Sequence, residues 1–327
     1  MSARLEGASR NGLGGILAVN ARFFVAALSV LMAGLLASRP LGVGLDDDNY
    51  IEYFGSAGDI LQNGLSSPIV LIFNEPLFLL VGLLTPTPEA ALRVAIFLGA
   101  ILAGVGVARL SRWSLVSLAL YFVFPLSLVA HIDHIRQGLA IGYYFFFLAC
   151  STRVRWLRCL APFIHSSFWV TMGIELISYF LLERRRVGGN TVWPSVAILV
   201  IGVVIAVVFS LLVIWVASGL GFRQVEQYDF ERVDGSGLGL AFWIVTAPLV
   251  VLGSRSWVHF RFCAFLGFYL GGYFLSPVTA RILTSGMPLL FSGGWRRPWV
   301  GLIQIAVLCL TLAMAVRTDF FWRLFAA

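Results

Sequence analysis

The stretch His131-Ile-Asp133-His134-Ile-Arg136-Gln137-Gly138 lies at the seam of two apolar runs, 113–130 before it and 137–152 after it. A charge at the centre of a bilayer costs roughly 2.5–3.5 kcal/mol, so ionisable side chains at such a seam need water or a polar cavity. Two readings stand side by side: an interfacial turn with solvated charges, and the wall of a polar cavity. On either reading the flanking runs are two membrane helices, and the chain is built outward from their junction.

Composition points the same way. Of the 327 residues 59% are hydrophobic and 12% charged, with a mean hydropathy of +0.91. Soluble domains carry about 25% charged residues, so this is a polytopic all-α membrane protein. The net charge of +7 comes from arginine alone, since the sequence has no lysine. In a membrane protein a basic excess reports topology before ligand, which excludes nucleic acid as the expected partner. Cys150, Cys159, Cys263 and Cys309 sit in or beside apolar runs without CxxC spacing. They suggest neither a disulfide framework nor a zinc site. No phosphate-binding glycine loop is present, so direct nucleotide hydrolysis is not expected.

Spans long enough to cross about 30 Å of hydrocarbon are expected near 22–38, 90–108, 113–130, 192–217, 237–253, 258–275 and 298–316, with shorter ones near 137–152 and 281–295. Arg4, Arg10 and Arg22 precede the first run without a convincing cleavage site, which reads as a retained helix. Charge decides two ambiguous segments. If 68–84 crossed, twelve arginines would fall on the outer face, so it is kept outside as a re-entrant segment. The run 157–182 has Arg153, Arg155 and Arg158 before it and Arg184, Arg185 and Arg186 after it. A hairpin with its tip near His165 keeps both clusters inside, and a broken helix at that depth must line a cavity or pack in protein.

The resulting scheme is one membrane-embedded domain over 1–327, with about nine transmembrane helices plus two re-entrant or hairpin segments. Residues 1–21 are inside, and the loops 39–89 and 218–236 are outside. Fifteen of the 23 arginines then lie inside, while thirteen of the 16 acids lie outside. The outer face gathers Arg39, Asp46-Asp47-Asp48, Tyr50, Tyr53, Glu75, Asp133, Arg136 and Arg281. Carboxylates beside tyrosines suit carbohydrate, because acids accept hydroxyl protons and aromatic faces stack on sugar rings. Calcium is the rival for the Asp46–Asp48 run, although EF-hand spacing is absent. His131 and His134, three apart, are a rival metal pair that lacks an evident third ligand. Arg136 and Arg281 are suited to grip a phosphate or diphosphate as bidentate donors; the alternative for each is an anchor paired with an acid. His259, beside Arg255 and Arg261, reads as structural.

Four signatures in order carry a resemblance: Gly44-x-Asp46-x-x-Asn49-Tyr50-x-x-Tyr53 preceded by Arg39; Glu75-Pro76-x-Phe78; Ile135-Arg136-Gln137-x-Leu139-Ala140-Ile141; and Phe163-x-His165-x-Ser167. Together they resemble the EpsG/Wzy-type polysaccharide polymerase family over about residues 39–186, with Arg281 as a looser later match. The chain departs from the family pattern at His131-Ile-Asp133-His134, where aromatic and Asn/Gly residues are usual, and at Phe168, where alanine is usual.

The resemblance implies a GT-C-like glycosyltransferase of the bacterial inner membrane, lengthening O-antigen or exopolysaccharide at the periplasmic face. Its donor and acceptor would be undecaprenyl-diphosphate-linked oligosaccharides, with a flippase and a chain-length regulator as partners and no cofactor. His165, Glu75, Arg136 and Asp46 are the expected catalytic residues. Arg39, Tyr50, Tyr53, Asp133, Gln137 and Arg281 are expected to bind substrate. The attacking hydroxyl needs a base, expected to be His165 or Glu75, with Asp46 and Asp133 as further options. Two other classes fit much of the pattern: a flippase for lipid-linked sugar, which should show paired halves, and another membrane glycosyl- or acyltransferase.

Overall fold

The structure, a computed structural model, describes residues 22–42, 44–65, 72, 74–183, 193–220, 237–253, 257–276, 278–292 and 309. The expected span 298–316 apart from Cys309, most of the loop 218–236, residues 1–21 and Arg184–Arg186 lie outside the described residues. The described secondary structure is helical, without strands. In chain order the helices are α1 (Arg22–Ser38), α2 (Asp47–Gly55), α3 (Ala57–Leu65), α4 (Pro76–Leu83), α5 (Pro88–Leu110), α6 (Leu115–Val123), α7 (Pro125–Ile132) and α8 (Ile135–Leu148). A 3₁₀ segment, Arg155–Phe163, follows, then α9 (Phe168–Glu183), α10 (Trp193–Leu220), α11 (Leu238–Gly253), α12 (Trp257–Gly272) and α13 (Val278–Ser292).

Local chemistry sets these boundaries. Thr87 caps α5 by accepting from Ala90 N at 3.2 Å, Pro88 takes the first helical position, and Glu89 and Arg109 complement the dipole at the two ends. The run 113–130 does not form one straight rod. Phe124 is extended (ψ 123°) because Pro125 follows, and α6 and α7 meet at a 65° bend. By length and composition α5 and the Trp193–Leu212 part of α10 are long and apolar enough to cross a membrane, and the bent α6–α7 pair makes a third. Among the described residues that is fewer than the nine expected crossings: Arg22–Ser38, Phe168–Phe180 and Gly239–Gly253 are apolar but shorter, and nearly all of 298–316 lies outside the described residues.

Without a hydrophobic driving force in lipid, helices associate by close packing of small residues. The α5–α8 contact is such a case: a Cβ added at Gly142 would collide with the carbonyl of Gly99. The same closeness recurs between α10 and α12, where Gly267 abuts the carbonyl of Leu199. Large apolar side chains on α1 and α10, among them Phe23, Leu31, Val204 and Leu211, remain exposed, as a lipid-facing surface requires.

One buried ion pair ties the second half together. Arg261 on α12 donates to Glu175 on α9 at 2.6 Å, with the two side chains 8% and 4% exposed. Removing one partner strands the other in a medium of low dielectric. Arg261→Met is therefore expected to destabilise the protein by about 3–5 kcal/mol, read as a lower unfolding temperature in detergent, and Glu175→Gln in the same background should restore part of the loss.

Candidate active site

The site forms where α2, α4, the α7–α8 turn, the break before α9 and the start of α13 meet. Its hub is Glu75, which is 1% exposed. Its backbone sits in the left-handed region (φ 55°, ψ 56°) just before Pro76 opens α4. A non-glycine residue held there costs of order 1–3 kcal/mol, and such strain is maintained where it aims a group. Here it aims a carboxylate. Oε2 accepts from Arg136 Nη1 at 2.7 Å, while Oε1 accepts from His165 Nδ1 at 2.7 Å and from the Ser166 backbone N–H at 2.9 Å.

These partners decide the protonation states. Burial pushes the Glu75 carboxyl up, but Arg136, then His165 and the Ser166 N–H outweigh it and bring it down to about 2 from 4.5. Glu75 is thus an ionised acceptor with three donors, a poor base and a good anchor. Burial pushes the His165 imidazole below its ordinary 6.5, opposed by Glu75 and reinforced by Arg136 and Arg281. A neutral imidazole that donates from Nδ1 to a carboxylate must keep its lone pair on Nε2. Of the two groups, His165 could take up a proton more readily than Glu75.

His165 reaches this position because the 3₁₀ segment ends at Phe163 and α9 begins at Phe168, leaving Ile164-His165-Ser166-Ser167 as the break. Arg136 is set by α8 and by two rings of α2. Tyr50 and Tyr53, three apart on one face, put their ring centroids 5.4 and 5.3 Å from its guanidinium carbon. Phe78 packs under both rings and against Phe54 at 4.6 Å, and the Tyr53 hydroxyl donates to the Asn74 carbonyl at 2.7 Å. About a third of the Arg136 side chain, 30%, stays open. Nη1 is committed to Glu75, and Nε is buried without a hydrogen-bond partner.

Several residues expected to bind substrate have hydrogen-bond partners within the protein. Arg39 forms a bidentate pair with Asp47 at 2.6 Å on both arms and donates to the Ile132 carbonyl, fully buried. Gly44 sits in this clamp, and a Cβ there would meet the Ile132 carbonyl at 2.5 Å. Asp133 accepts from Leu45 N at 3.1 Å, which pins the outer loop to the α7–α8 turn. Gln137 donates to the Arg281 carbonyl and to Ser285 Oγ, docking α13 on α8. Tyr50 and Tyr53 are spent on Arg136. The two histidines of the seam diverge: His131 Nε2 pairs with the Tyr121 hydroxyl at 2.9 Å in the core, while His134 faces Asp46. Among the described residues no group of three or more His, Cys, Asp or Glu is placed to hold a metal ion.

Arg281 completes the arrangement. Its charge acts on the Asp46 carboxyl and on the His165 imidazole alike, so it stands within electrostatic reach of both. Arg136 and Arg281, 145 residues apart in sequence, both push the His165 imidazole down. The Ser166 N–H, the Asn74 carbonyl, Ser285 and Tyr121 were not legible as site partners from sequence.

An all-helical membrane protein with a buried carboxylate joining an arginine to a histidine is the class defined so far. The family model of the EpsG family matches residues 22–292, and the chain belongs to that family. It is accordingly a membrane protein of the polysaccharide-polymerase type. No curated protein and no solved structure matches the chain.

Proposed function

We propose that the protein is a polysaccharide polymerase that transfers a growing glycan from undecaprenyl diphosphate onto a lipid-linked repeat unit, for O-antigen or exopolysaccharide synthesis. The site lies on the periplasmic face of the bacterial inner membrane, an orientation supported by the segregation of arginine and acid along the sequence. The nine-crossing topology and a GT-C-like arrangement belong to the same proposal. The observation that carries it is the Arg136–Glu75–His165 chain of hydrogen bonds at 2.7 Å each.

The chemistry is one displacement. The acceptor hydroxyl oxygen bonds to the anomeric carbon of the donor, and the bond from that carbon to the diphosphate oxygen breaks. The hydroxyl proton passes to His165 Nε2, and the imidazolium that forms is stabilised by Glu75 through Nδ1–H. The diphosphate leaves with the bonding electrons, its growing charge met by Arg136 and Arg281. Glu75 positions both groups and touches neither substrate.

The test is direct. Purified protein given the lipid-diphosphate-linked repeat unit of its own cell should produce a ladder of products spaced by one repeat. No ladder, with sugar lipid moving between leaflets of a proteoliposome, would replace this reading with a flippase.

A further inference from the structure

The outer loop carries three consecutive acids, and the fold gives each a different fate. Asp47 is buried against Arg39 and the backbone N–H groups of Gly42 and Gly44. Asp48 is exposed on α2. Asp46 alone meets the α7–α8 turn: its Oδ2 stands 3.6 Å from His134 Nδ1, and Asn49 Nδ2 lies 3.5 Å from Oδ1.

This pair is held and open at once. The Arg39–Asp47 clamp and the Leu45 N to Asp133 bond fix the loop on one side and on the other of Asp46, so the carboxylate is carried on a supported backbone. Its side chain is nonetheless 37% exposed and that of His134 28%. His134 lowers the Asp46 carboxyl below its ordinary range against a smaller effect of burial, and Arg281 adds to the lowering. Asp46 is therefore an ionised acceptor beside an imidazole and an amide donor. That combination of acceptor, donor and half-open placement matches sugar hydroxyls, each of which both gives and takes a hydrogen bond. It matches a carboxylated sugar badly, because Asp46 repels a second anion.

We propose that Asp46, His134 and Asn49 form a recognition subsite for the hydroxyls of a neutral sugar of the lipid-linked repeat unit, distinct from the Glu75–His165 pair that handles the proton. The assignment rests on the polymerase reading above for its ligand. The subsite sets which sugar is accepted; the diphosphate grip is set by the arginines.

Binding, measured without turnover, separates the two. The probes are the repeat-unit lipid isolated from the protein's own cell and sugar-free undecaprenyl diphosphate, each titrated against the detergent-solubilised full chain. Asp46→Asn and His134→Ala are expected to weaken the repeat-unit lipid by about tenfold to a hundredfold, the loss of one charge-assisted hydrogen bond. Both should bind the sugar-free lipid as the unaltered protein does. Equal weakening of both lipids, or no weakening of either, overturns the subsite. Unfolding temperatures matched to the unaltered protein keep a folding defect from passing as support, and His134→Gln serves if His134→Ala is unstable. Because the readout is binding, absence of a product ladder would sink the polymerase reading and leave this result intact.

Discussion

Arg136→Gln is expected to slow elongation by about 10²–10³-fold at saturating donor, the usual loss when one preorganised charge is taken from a leaving group. Arg136→Lys should recover little of it. In the native site one edge of the guanidinium holds Glu75 at 2.7 Å while the face lies between Tyr50 and Tyr53. A planar fork does this with donors to spare; an ammonium is a single point on a flexible stem. The loss should appear in kcat, since the charge on the diphosphate grows as the bond breaks. The pH profile distinguishes the two substitutions. Arg136 is one of the groups holding the His165 imidazole down, after burial itself. Its removal as Gln should move the acid limb of kcat/KM upward, whereas Lys keeps the charge and leaves the limb in place. A ladder formed at the native rate by Arg136→Gln would remove the guanidinium from the mechanism.

How far the sequence reaches depends on the distance between partners. The seam at 131–138 was legible because charges between apolar runs have few places to go. Tyr50 and Tyr53 were legible as neighbours, since three residues apart on a helix is one face. A sequence shows two tyrosines on one helix face, and it does not show that Phe78 packs against both or that Arg136 lies over both rings. The pairing of Arg39 with Asp47 was hidden because Asp47 reads as one of a run with its neighbours Asp46 and Asp48. Gln137 meets Ser285 across 148 positions, beyond any local pattern. The left-handed backbone at Glu75 had no local trace, since the following Pro76 biases the residue before it toward extended backbone and not toward φ 55°. Pro125, by contrast, marked the break that divides 113–130 into two helices, and reading the run by hydropathy alone overrode it.

Glu75→Gln removes one charge and keeps the shape of the side chain, yet elongation should fall by about 10²–10⁴-fold, the range associated with a general base. Two effects combine. The glutamine can present its NH₂ to His165 Nδ1, which favours the tautomer with the proton on Nε2 and so blocks the atom that must accept it. Where the correct tautomer persists, the imidazolium formed in the reaction has lost its counter-charge. The pH profile moves opposite to that of Arg136→Gln. Burial lowers the His165 imidazole and Glu75 opposes that lowering; without the carboxylate the imidazole falls further below 6.5, and the acid limb shifts down. Stability carries its own signature. Glu75 is held at about 2 against 4.5, so its contribution is complete above pH 4.5 and is lost as pH falls from there towards 2. In the unaltered protein the unfolding temperature should drop across that window. In Glu75→Gln, which leaves Arg136 without its anion, the unfolding temperature should start lower at pH 7, by an amount equivalent to about 3 kcal/mol, and show a shallower fall on acidification. Acid limbs that move the same way in the two variants would mean that Arg136 and Glu75 do not act through His165, and the proton would have to be sought at Asp46.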